Sequence, residues 1–212
     1  TSGCSYKCPF CHNRDLVYIP ENYQFLDVEE IFQFLDKRKN ILDGVCISGG
    51  EPLMQEKLIP FLKEIKKRGY DIKLDVTGNY LDRLKEIVDA KLVDYIAMDV
   101  KNTKEKYALT VGSDAESFPV ESIDACISYI RTCGIPYEFR TTIVRELHTK
   151  EDLVAMAKWL KGVNAWYLQQ FQDSPNCIQA GFHSYNKQEM LEILEAVKQY
   201  VPNAEVRGVK ED

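Results

Sequence analysis

Thr1–Asn13 reads T-S-G-C-S-Y-K-C-P-F-C-H-N. Cys4, Cys8 and Cys11 put three thiols within eight residues, behind a glycine that frees the backbone and around a proline that stiffens it. Three thiolates on one short loop can each hold one iron of a 4Fe–4S cube, which leaves the fourth iron without a protein ligand. An open coordination position marks a catalytic centre rather than a closed structural one, as it does for zinc. Two plainer readings compete. Half a zinc site with His12 as fourth ligand suffers because adjacent residues rarely aim at one metal, and no second C-x2-C pair follows. A disulfide would use two of the three cysteines and leave one over.

Outward from this loop, 212 residues are enough for one sizeable core, so one domain spanning 1–212 is expected. A formal net charge of -6 argues against nucleic acid as a partner, whose phosphates demand a basic face. Cys46, Cys126, Cys133 and Cys177 are scattered, as thiols are where they serve as small hydrophobes in a reducing compartment. No apolar run approaches membrane-spanning length and no charged-then-apolar leader opens the chain. A soluble, cytoplasmic protein with no membrane partner is expected.

Periodicity alternates between the two regular structures. Asp27 can cap a helix running to about Lys39, with Val28, Ile31, Phe32 and Leu35 at helical spacing. Strands are expected at Gly44–Ser48, Ile72–Val76, Tyr95–Val100, Tyr137–Val144, Ala165–Phe171 and Ala204–Arg207. Helices are expected at Met54–Arg68, Tyr80–Ala90, Val120–Cys133, Lys150–Leu160 and Lys187–Tyr200. An irregular connection over 102–119 holds one helical turn, and Asp173–Ser184 is a loop. Such alternation means βαβ units and a parallel sheet with right-handed crossovers. Alternation alone does not separate an open doubly wound sheet from a barrel. In both, the site belongs at the carboxyl ends of the strands.

Those strand ends carry the remaining candidates. Ser48-Gly49-Gly50-Glu51-Pro52 offers bare backbone to a ligand and an anion to an ammonium; a tight turn explains the glycines about as well. L-D-V-T-G-N places Asp75, Thr77 and Asn79 after one strand, where turn chemistry is the plain alternative. A-M-D-V-K places Asp99 and Lys101 after the next, and Asp99 stands in an apolar run where an unpaired charge is costly. Arg140 lies within a strand, with a side chain that could simply reach solvent. Tyr6 and Phe10 read as aromatic packing, and His148 and His183, in polar loops, as solvated.

The spacing C-x3-C-x2-C, followed about forty residues later by G-G-E, resembles the radical S-adenosylmethionine (SAM) superfamily. The resemblance implies an α/β fold, a partial (β/α)6 TIM-like barrel open on one side. In that family a strand precedes the cysteine loop, so a first strand is expected to be missing from this sequence. It implies two cofactors: a 4Fe–4S cluster on Cys4, Cys8 and Cys11, and SAM chelating the open iron. Ser48, Gly49, Gly50 and Glu51 would contact its methionine amino end. The Asp75–Asn79 and Asp99–Lys101 segments resemble D-T-N-G-like and D-L-K-like motifs of the glycyl-radical-activating branch. There two aspartates, here Asp75 and Asp99, bind a monovalent cation beside the cofactor carboxylate; the lysine, here Lys101, contacts cofactor or substrate backbone. Thr77 and Arg140 complete the implied cofactor set. Val76 replaces the family's Thr, which leaves only a backbone carbonyl at that position, and Gln172 stands where pyruvate formate-lyase activases show His.

The resemblance is nearest to the activating proteins of anaerobic ribonucleoside-triphosphate reductase. It implies an enzyme that cleaves SAM reductively to a 5′-deoxyadenosyl radical and installs a glycyl radical on that partner, fed by a flavodoxin- or ferredoxin-like electron donor. Activation of pyruvate formate-lyase or another glycyl radical enzyme is one alternative, and a radical enzyme acting on a small molecule or peptide another. From a different class comes a non-catalytic Fe–S carrier or zinc module, which would have no use for a cofactor-amine site.

Overall fold

Along Asp71–Val76 the sequence D-I-K-L-D-V alternates and burial alternates with it: Ile72, Leu74 and Val76 are buried, Lys73 and Asp75 face the other way. A parallel strand covered by helices on both sides would read as a continuous apolar run, so one face of this sheet packs on helices and the other does not. The computed structural model, which describes residues 1–115 and 117–209, places this strand in a sheet of six. In chain order the elements are α1 (Arg14–Val17), α2 (Val28–Lys37), β1 (Gly44–Ile47), a 3-10 turn (Pro52–Met54), α3 (Leu58–Lys67), β2 (Asp71–Val76), α4 (Leu81–Asp89), β3 (Tyr95–Asp99), α5 (Tyr107–Thr110), α6 (Val120–Ile130), β4 (Tyr137–Ile143), α7 (Lys150–Trp159), β5 (Trp166–Gln170), α8 (Lys187–Lys198) and β6 (Ala204–Arg207).

All five strand pairs are parallel, in the order β1-β2-β3-β4-β5-β6. A doubly wound sheet reverses its order at a switch point. Here nothing reverses, so right-handed crossovers deliver every helix to the same face and the sheet curls as a barrel wall. β1 and β6 stand at its two edges, which makes this a partial (β/α)6 barrel open on one side. The helices bury apolar stripes at i, i+3, i+4 and i+7, such as Met190, Ile193, Leu194 and Val197 of α8. Capping boxes at Thr149/Asp152 and Asn186/Glu189 start α7 and α8.

On the concave face the register sets side chains in rows: Cys46, Lys73 and Tyr95; then Asp75, Ala97 and Glu138; then Asp99, Arg140, Tyr167 and Glu205. Closed barrels fill this space with branched apolar residues. This face is polar and charged. The expected strands all form, with no end displaced by more than one residue. The helix expected from Met54 begins only at Leu58, because Glu51 caps the Leu53 amide and Gln55 Nε2 donates to the Ser2 carbonyl at 2.6 Å, holding 52–55 as a separate turn. Among the described residues no helix is long and apolar enough to cross a membrane.

Candidate active site

The cysteine loop lies across the carboxyl ends of the strands and is tied down at three places. Beyond β1, the Thr1 amino group donates to the Ser48 carbonyl at 2.7 Å, Gly50 N–H to Thr1 O at 2.9 Å and Glu51 N–H to Gly3 O at 2.8 Å. After α5, Lys7 N–H donates to Val111 O at 2.9 Å. In the loop after β5, Ile178 N–H donates to Cys11 O at 3.2 Å and Gln179 N–H to Pro9 O at 2.8 Å.

These ties explain the glycines in a way the sequence did not reveal. A Cβ on Gly49 would collide with the Thr1 backbone, and one on Gly50 with the Gly3 carbonyl. Gly49, at φ +130°, also occupies a region that side chains avoid. What lies against the bare backbone of Ser48–Gly50 is therefore the Thr1–Gly3 backbone.

Cys8 is buried, while Cys4 and Cys11 are half-buried. Burial pushes the Cys8 thiol up to about 12, and Lys101 nearby pulls the other way. The Tyr6 amide donates to Cys4 Sγ at 3.4 Å, the kind of contact that supports a thiolate. The donor set fits an iron–sulfur cluster: three soft sulfur donors on one loop, with an ammonium near one of them to offset negative charge. Among the described residues no three His, Cys, Asp or Glu side chains converge on a single metal ion, whereas in a 4Fe–4S cube each thiolate holds an iron of its own. Tyr6 is 2% exposed, its hydroxyl has no hydrogen-bond partner among the described residues, and its ring packs 6.0 Å from Phe118.

Glu51 is wholly buried and turned inward. Oε1 accepts from Leu53 N–H at 2.9 Å, and Oε2 accepts from Thr77 N–H at 2.7 Å and Thr77 Oγ at 2.5 Å. It thus joins the turn after β1 to the turn after β2. Burial raises its pKa, opposed by these three bonds.

Asp75, Asp99, Lys101 and Arg140, far apart in sequence, come together. Arg140 Nε donates to Asp99 Oδ1 at 2.9 Å and Nη1 to Asp75 Oδ2 at 3.2 Å, while Lys101 Nζ donates to Asp99 Oδ2 at 2.8 Å. The Arg140 side chain is 14% exposed and does not reach out to solvent. Burial opposes ionisation of Asp99, but Lys101 and Arg140 outweigh it and hold its pKa below the usual range. Asn79 Nδ2 reaches Ser5 Oγ at 3.4 Å, a further link to the cysteine loop.

Two residues gain importance that the sequence hid. His148 is not solvated: it is fully buried, with Nε2 2.7 Å from the Lys101 carbonyl and Nδ1 3.1 Å from the Val144 amide. Nδ1 accepting from Val144 N–H leaves Nε2–H to donate to Lys101 O, so the neutral imidazole fixes the backbone of the lysine. Burial lowers its pKa. Cys177, read as a scattered hydrophobe, is buried against the cysteine loop with Sγ 3.8 Å from the Phe10 carbonyl. His183 is exposed, paired with Glu146 at 2.6 Å.

A family model described as the radical SAM superfamily matches residues 1–160. A protein of Methanocaldococcus jannaschii, provisionally named a glycyl-radical enzyme activating enzyme, is 31% identical over 98% of this chain and 86% of its own length. The pyruvate formate-lyase-activating enzyme of Clostridium pasteurianum is 29% identical over 76% of this chain and 67% of its own. In three dimensions the chain is similar to Streptococcus suis SuiB bound to S-adenosylmethionine, with a TM-score of 0.73 and 14% identity, covering 97% of this chain and 48% of that one. At that identity the likeness is one of fold.

Proposed function

The chain belongs to the radical SAM superfamily, and from that premise we propose that it is an activase that installs a glycyl radical on a partner enzyme. The observation that carries this reading is the three-cysteine loop laid over the strand ends, beside Lys101, Asp99 and Arg140, in a chain whose M. jannaschii relative matches it over 98% of its length. Cys4, Cys8 and Cys11 would hold the cluster, and Ser48, Gly49, Gly50, Asp75, Thr77, Asp99, Lys101 and Arg140 would surround SAM. When bound, the cluster supplies the electron that cleaves SAM to methionine and a 5′-deoxyadenosyl radical.

The chain's own work is to hold and exclude. Glu51 and Thr77 lock the turns after β1 and β2 to each other, and so fix the floor of the cofactor site. Lys101 and Arg140 supply positive charge for a carboxylate, and His148 keeps the lysine's backbone in place. A backbone segment carrying the target Cα–H would have to reach the polar concave face.

Anaerobic ribonucleoside-triphosphate reductase is the partner we propose, with a flavodoxin- or ferredoxin-like donor and a cytoplasmic setting. The C. pasteurianum relative favours pyruvate formate-lyase as a second reading. The test is anaerobic reconstitution followed by dithionite and SAM. About four irons per chain and formation of 5′-deoxyadenosine are expected, with a glycyl radical doublet when the reductase is added. Zinc without labile sulfide would end the cluster assignment. A radical on the lyase alone would move the partner to the second reading. Turnover of a small metabolite, with no radical on either partner, would end the activase proposal.

A further inference from the structure

The resemblance implies a monovalent cation between Asp75 and Asp99, and the residues do not fit one. An ion there would need oxygens from both carboxylates. Arg140 already bridges them, Nε to Asp99 and Nη1 to Asp75. The second Asp99 oxygen is held by Lys101. Among the described residues Asp75 Oδ1 makes no hydrogen bond, but the Lys73 ammonium stands 3.8 Å from it.

The charge count agrees. Asp75, Asp99 and the nearby Glu138 are met by Lys73, Lys101, Arg140 and Arg207: Glu138 lies 3.1 Å from Lys73, 3.1 Å from Arg207 and 4.0 Å from Arg140. Each of the three carboxylates therefore has a cationic partner before any ion is added. Val76 offers no side-chain oxygen.

We infer that Arg140 is this chain's built-in cation: it does the work of the metal ion between the aspartates, so that the cofactor carboxylate is received without K⁺ or Na⁺. This rests on the reading that the chain binds SAM. The guanidinium is suited to the task, since it is planar, permanently charged, and keeps N–H donors for a ligand carboxylate after Asp75 and Asp99 have taken two.

The test compares the full chain in KCl, NaCl and tetramethylammonium chloride at equal ionic strength, by thermal melting and by calorimetric titration with SAM. Wild type should melt at the same temperature in all three salts, and its SAM dissociation constant should change less than twofold. Arg140→Gln exposes the two aspartates to each other. It should melt lower and recover in K⁺ or Na⁺ but not in tetramethylammonium. Arg140→Lys, which keeps a cation, should remain indifferent to salt identity. A tenfold loss of SAM affinity by wild type in tetramethylammonium would overturn the inference. So would K⁺ raising the wild-type melting temperature, or a folded Arg140→Gln that ignores every cation. If Arg140→Gln does not fold, the wild-type comparison decides. If SAM binds in none of the salts, the cofactor reading falls while the melting series still reports on the cation.

Discussion

Three hydrogen-bond donors, rather than a cation, satisfy the carboxylate of Glu51. Glu51→Gln would turn an amide N–H₂ towards one of those donors and strand it in the interior. The expected loss is about 2–3 kcal/mol of unfolding free energy in urea, without any cofactor. A Gln variant as stable as wild type would mean that the carboxylate is not needed for folding. His148 makes a prediction in pH. Its pKa is lowered from 6.5 by burial, so below pH 6.5 the unfolded chain gains a proton that the folded chain refuses. Stability tied to His148 is complete above pH 6.5 and falls on acidification. Glu51, raised from 4.5, acts oppositely, losing stability as pH rises through its folded value. The histidine's share is therefore read as a difference: the drop in urea midpoint from pH 7.5 to 5.5 should be smaller in His148→Gln than in wild type. Neither role was legible in the sequence. Thr77 lies 26 residues from Glu51, and the Lys101 carbonyl lies 47 from His148. A histidine among Leu, Thr and Lys looks solvated until the chain folds over it.

At the scale of elements, the strands were legible as short apolar or β-branched runs, as in Y-I-A-M-D, or as period-two alternation, as in D-I-K-L-D-V. The start of α3 was not, because it is set by side chains of Glu51 and Gln55 reaching across to other segments. The cysteine motif announced itself, whereas its seating on three separate segments depends on backbone amides that carry no sequence signature. Gly112 probes one seat. It sits at φ +69°, and a Cβ there would stand 2.5 Å from the Lys7 carbonyl. Gly112→Ala should cost about 2 kcal/mol or more through strain and overpacking, and should lower the iron retained per chain after reconstitution. Asn186→Ala is the control. It removes the cap of α8, for about 1 kcal/mol, and should leave iron content unchanged. Equal iron in both variants would mean that the α5 contact does not position the thiols.

For the whole molecule the concave face decides behaviour. Glu138, 3% exposed, is the anion around which Lys73, Arg207 and Arg140 gather. Glu138→Gln should lower stability by about 1–2 kcal/mol, a modest figure because Lys73 and Arg207 keep contact with water. It also leaves surplus positive charge on the sheet, so sulfate should raise the variant's melting temperature more than that of wild type. An equal response would mean that these charges are not compensating one another. The fold class follows from alternating strands and helices, while the choice of a curled wall over a doubly wound sheet came from the family resemblance and is borne out by the strand order.

The sulfur-bearing segment is stitched to both banks of a wall that never meets itself, by amides of Gly50 and Glu51 on one side and of Ile178 and Gln179 on the other. Loading metal on Cys4, Cys8 and Cys11 should therefore quiet a region more than 160 residues downstream. Deuterium uptake at Ile178 and Gln179 becomes a remote gauge of occupancy: slower with the thiols charged, faster with them stripped.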